Sequence, residues 1–160
     1  MLRAKQNRKL DRGMTLIEIL VVLGLVALIG GFSMVMGVDS FRKQIFRSDR
    51  DLLISSLHRA RALAISNTCF GACPGNDGLP HGVRIELGQF IIFQGDTFNP
   101  SDEYNEVVEM TGGALVTGLP EIIFEPLSGE VLSPGDIVIT DSGVVSTTTI
   151  GVEGQIFWTR

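Results

Sequence analysis

Residues 12–31 read RGMTLIEILVVLGLVALIGG, and the reading of this stretch decides the rest of the chain. No charged residue occurs between Glu18 and Asp39. An uncharged run of about 20 residues spans roughly 30 Å of hydrocarbon as a helix. A secretory signal peptide also has basic residues followed by an apolar run. Its apolar core is shorter, however, and no small-x-small cleavage site closes the run here. Gly30, Gly31, Phe32 and Ser33 lead straight on into Met34, Val35 and Met36. The stretch therefore predicts one transmembrane helix over 14–38. It also leaves an oddity, because a carboxylate at Glu18 is costly near hydrocarbon and needs a partner or solvent.

The chain has 160 residues and a formal net charge of −5, a length that predicts one domain. Charge is segregated: Met1–Gly13 carries five basic residues against Asp11, or +4, which leaves −9 for the remainder. An acidic body disfavours nucleic acid as a partner, since that affinity rests on Lys and Arg neutralising phosphates. From Cys69 onward the only basic residues are Arg84 and Arg160, so DNA is not an expected partner. The basic leader favours a cytoplasmic N-terminus, although Arg42, Lys43, Arg47 and Arg50 flank the far end. Cys69 and Cys73, close together in a turn-rich stretch, fit an oxidising compartment for the body of the chain.

The helical pattern continues past the apolar run. From Asp39 to Asn67 there is no proline and no glycine, and Phe46, Leu53, Leu57, Ala60 and Ala64 form one apolar stripe. Arg42, Lys43, Arg47, Asp49, Arg50, Asp51, Arg59 and Arg61 are expected on the opposite, solvated positions. The helix should stop near Asn67, before the glycine- and proline-bearing CFGACPGNDGLPHG. Running from Met14 to Asn67, it would hold about 54 residues over roughly 80 Å.

After His81 the pattern turns to period two. GVRIEL and QFIIFQ flank Gly88 as a hairpin, and NEVVEM, EIIFEP, GDIVIT, GVVSTTTIGV and GQIFWTR read as further strands between glycine turns. Short strands at close spacing predict antiparallel sheet. The expected class is α+β: a long N-terminal helix packed on an antiparallel β-sheet C-terminal domain. The boundaries follow as a leader over 1–13, a membrane helix over 14–38, an amphipathic continuation over 39–67 and a β-rich domain over 68–160.

GMTLIEILVVLGLVALI, preceded by a basic leader ending in Gly13, resembles the signal of type IV pilins and type II secretion pseudopilins. In that family glycine precedes the cut and the fifth mature residue is glutamate; Gly13 and Glu18 stand at those positions. Met14 replaces the usual phenylalanine as first mature residue, and the 13-residue leader is long for the short-leader class. Further on, FRSDRDLLISSLHRARALAISN, EIIFEPLSGEV and GQIFWTR resemble the pseudopilin H and FimT-type minor pilin group. The resemblance implies a pilin-like fold and cleavage between Gly13 and Met14 by a prepilin peptidase. It further implies N-methylation of Met14 and assembly with other pilin or pseudopilin subunits through an inner-membrane assembly platform. The chain would sit in membrane lipid with its C-terminal domain in the periplasm, then join a filament. The function implied is that of a minor structural subunit of a type II secretion pseudopilus, with a FimT-type minor pilin of a type IV pilus as the alternative.

The individual residues have their own chemistry. Glycine beside a scissile bond suits a peptidase that binds its substrate extended. Cleavage after Gly13 exposes an amine on Met14 that would neutralise Glu18, in the same subunit or in a neighbour; the other reading is a glutamate solvated among headgroups. Gly24, Gly30, Gly31 and Gly37 serve close helix packing, local loosening, or neither. For Cys69 and Cys73 the readings are a small structural disulfide, free thiols, or, with His58 and His81, a zinc site, although C-x3-C matches no standard zinc or redox spacing. Asp96, Asp102, Glu103 and Glu106 cluster without the spacing of a calcium loop and read as solvated. No nucleophile–base motif stands out, so no enzyme, metal or cofactor is expected.

Overall fold

The computed structural model describes residues 15–71, 73 and 78–159, and within them the side chains of all but 32–39. The chain divides into two units, Met1–Phe41 and Arg42–Arg160. One helix, α1 (Leu16–Ile65), supplies the described part of the first unit and the beginning of the second.

In the first unit the described apolar side chains are open to their surroundings, from Leu16 at 77% exposed to Ile19 at 47%. Contiguous apolar surface of this extent is normally covered by lipid or protein. The helix passes unbroken through Gly24, Gly30 and Gly31, and a Cβ added at any of the three would meet nothing within 4 Å. Among the described residues no helix is long and apolar enough to cross a membrane. The described side chains of the apolar run extend from Leu16 to Gly31, short of the ~20 residues a span needs. The rest of the expected 14–38 span, Gly37 included, lies outside them.

The second unit holds the remainder of α1 and eight strands: β1 (His81–Glu86), β2 (Gln89–Gln94), β3 (Glu106–Glu109), β4 (Leu115–Gly118), β5 (Glu121–Phe124), β6 (Gly135–Asp141), β7 (Val144–Ile150) and β8 (Ile156–Thr159). They form two four-stranded antiparallel sheets, ordered β3-β2-β1-β5 and β4-β6-β7-β8. The strand pattern predicts antiparallel pairing without saying how many sheets the strands form; they form two. The β6–β7 connection is a two-residue loop with Ser142 and Gly143 both at positive φ, 47° and 82°. That geometry matches the twist of the flanking strands and explains the DSG signal. β4 escaped the sequence pattern because it is four residues long, mostly exposed and bounded by glycine and proline.

Phe46, Leu53, Leu57, Ala60 and Ala64 of α1 are buried in one hydrophobic cluster with Val83, Phe90, Ile92, Ile122 and Phe124 of the first sheet and Ile137, Ile139 and Ile150 of the second. The helix ends where the stripe ends. Asn67 takes φ 53°, its N–H donates to the Ala64 carbonyl and the Thr68 N–H donates to Leu63. This 6→1 and 5→2 pair is a Schellman cap with Asn in the left-handed position.

Candidate processing and assembly site

Gly13 and Met14, the expected cleavage and methylation positions, lie outside the described residues. The structure begins next to them. Thr15 is the N-cap of α1: its carbonyl accepts from the Glu18 and Ile19 N–H groups at 3.1 and 3.3 Å, and its Oγ1 faces the Glu18 N–H at 3.4 Å. T-x-x-E at a helix start is the capping-box pattern, and the macrodipole favours an acid in the first turn. Glu18 therefore has a local role as well as the expected partnership. Its side chain is exposed, and no described side chain pairs with its carboxylate. Among the described side chains none would compete with a cationic amine delivered to this end of the helix.

Asp49 departs from the sequence reading. Expected among the solvated charges, it is 0% exposed. Its position explains this, since 46, 49, 53, 57 and 60 recur at spacings of three and four on one face. Asp49 Oδ1 accepts from Thr111 N–H at 2.7 Å, and Oδ2 accepts from Gly112 N–H at 3.1 Å. A Cβ on Gly112 would meet Asp49 Oδ2 at 2.8 Å and Ile45 Cγ2 at 2.5 Å, so glycine is required for this approach. The acid ties α1 to the segment after β3. Arg50 departs less: it pairs with Asp51 at 2.8 Å and lies 4.2 Å from the centre of the Trp158 ring.

Cys69 and Cys73 are bonded to each other, with Cα atoms 6.1 Å apart. Their loop is held to β2 by a reciprocal pair, Phe70 N–H to Gln94 Oε1 and Gln94 Nε2 to the Phe70 carbonyl, each at 3.0 Å. Phe70 stacks on Tyr104 and meets His81 edge-on, beside a pocket of about 130 Å³ that Arg59 and Glu106 also line. His81 is 1% exposed; its Nδ1 lies 3.0 Å from the Leu79 carbonyl, and its Nε2 has no partner. Burial pushes its pKa below the ordinary 6.5, partly offset by the Leu79 contact. The folded protein thus resists a proton that the unfolded chain accepts freely. Stability is full above the mid-6 range and falls as pH drops through it. The melting temperature of the full chain should fall between pH 7.5 and about 5.5, and His81→Gln should flatten that slope.

No group of residues able to hold a metal ion occurs among the described residues. His58 is exposed on α1, and the two cysteines are committed to each other. Of the acids weighed for calcium, Glu106 pairs with Arg59 at 2.7 Å and Asp102 Oδ1 accepts from Tyr104 N–H at 2.9 Å.

No curated protein and no solved structure matches the chain. Residues 8–35 match the family described as Prokaryotic N-terminal methylation motif, and the match takes in Gly13, Met14, Thr15 and Glu18. The chain therefore carries a type IV pilin-like prepilin leader, a signal for prepilin peptidase processing and membrane-anchored assembly with other pilins.

Proposed function

We propose that this chain is a structural minor subunit, a pseudopilin, of a type II secretion pseudopilus. It would insert in the inner membrane by the helix over 14–38, N-terminus in the cytoplasm, and place its β-rich domain in the periplasm. Leader cleavage after Gly13 and N-methylation of Met14 would prepare it to leave the membrane for a filament that supports protein secretion. The chain would act as a building element and not as an enzyme, and would need no cofactor.

The observation that carries this reading is the methylation motif over 8–35, together with an exposed Glu18 that no described side chain pairs, one turn from the proposed cut. The disulfide-closed loop suits a periplasmic domain. The motif is shared with type IV pilins, so a FimT-type minor pilin is the alternative. The acidic domain favours secretion over DNA capture, because residues 81–160 hold twelve acids against Arg84 and Arg160.

Co-expression with a prepilin peptidase, followed by intact-mass measurement, tests the reading. The mature chain should begin at Met14 and carry the mass of one added methyl group. A mature chain beginning elsewhere sinks the proposal. Retention of DNA by the processed protein at physiological salt would move the assignment to the FimT-type alternative.

A further inference from the structure

Arg42, Lys43 and Arg47 lie within six successive residues of α1, and all three are exposed. Among the described residues none of them makes an ion pair, whereas Arg50, Arg59 and Arg84 each do. Lys43 and Arg47, four apart, share one side of the helix. Like charges at that spacing weaken a helix, so folding of the single chain gives no reason for this cluster.

The opposite charge is present in the same molecule. The loop between β2 and β3, residues 95–105, carries Asp96, Asp102 and Glu103 and no basic residue. Asp96 and Glu103 are exposed. Tyr104 registers the local field: its pKa is raised first by the hydrogen bond to Glu103, then by the charges of Glu103 and Asp102.

We propose that the cationic helix face of Arg42, Lys43 and Arg47 docks on the acidic β2–β3 loop of a second copy of this chain. The contact joins two different patches, so each docked copy keeps one patch free for a further subunit. Two arginines suit planar carboxylates, and the pairing is expected to weaken as salt shortens the screening length. The inference rests on the reading of the chain as a filament subunit.

Lys43 is the only lysine after Gly13. A zero-length carbodiimide on the processed full chain can therefore join a carboxylate only to Lys43 or to an unblocked N-terminus. Equal parts isotope-labelled and unlabelled chain, reconstituted in zwitterionic nanodiscs and digested, reveal which linkages run between copies. The expected product joins Lys43 to Asp96, Asp102 or Glu103 of another copy. Its yield should fall about ten-fold in roughly 0.5 M salt, and equally in Asp102→Asn/Glu103→Gln. Linkages confined to one chain overturn the proposal. So does an absence of linkage in zwitterionic discs with Lys43 protected in anionic ones, which assigns the cations to lipid headgroups. A mature chain recovered in sheared filaments without copy-to-copy linkage through Lys43 overturns the docking contact alone. A mature chain that never enters filaments overturns the subunit reading itself.

Discussion

Glu18→Gln should be cut by a prepilin peptidase as the parent chain is, yet enter filaments at least about ten-fold less well. The substitution keeps the side-chain length, a good helix former and the T-x-x-Q version of the cap, so processing and local structure survive. What disappears is a carboxylate for the Met14 amine. A charge pair about 4 Å apart near a protein surface is worth up to about 4 kcal/mol before desolvation and ordering are subtracted. Each 1.4 kcal/mol (about ten-fold) that survives that subtraction shows directly in the assembled fraction. Intact mass reports the cut, and the sheared-filament fraction reports assembly. Normal assembly would mean that the Glu18 charge serves only the helix N-terminus. A failure to cut would move its role to recognition by the peptidase.

Asp49→Ala is expected to cost the folded protein about 3 kcal/mol. Alanine is the better helix former, so propensity alone predicts a small gain. The loss comes from the other side of the contact, where the Thr111 and Gly112 N–H groups lose their acceptor in a buried place. Asp49→Asn should fall between, because its carbonyl still accepts while its NH2 group opposes a donor. Denaturant midpoints of the full chain in a mild detergent would measure the series. An alanine variant as stable as the parent would show that water replaces the carboxylate at no cost.

These two acids show what the sequence does and does not make legible. Glu18 stands out because an acid beside an uncharged run is conspicuous, and its spacing from Gly13 carries the family motif. The Thr15 cap is legible as well, once T-x-x-E is looked for. Asp49 was hidden by the assumption that charge marks the solvated face. Its spacing from Phe46 and Leu53 places it in the stripe, but its partners lie 62 and 63 residues away, on backbone groups that no local pattern reveals. QFIIFQ was readable as a strand because it is a short apolar run, buried over its four central residues, between glycine-bearing turns. β4 was not, because strand pairing and not side-chain burial holds it. The division into two sheets was likewise invisible, since hairpin signals identify neighbours in sequence and say nothing about which hairpins share an edge.

The Thr15 cap has a consequence for the cut itself. The first turn of α1 draws its described hydrogen bonds from Thr15 onward. A cut after Gly13, as proposed, would fall ahead of those bonds and leave each of them in place. On that proposal the Thr15 cap would hold the first turn in precursor and product alike. Maturation on these terms would be a change of charge state beside a first turn that keeps its bonds. The proposed subunit would then need no new backbone structure in its first turn, only the breaking of a single bond.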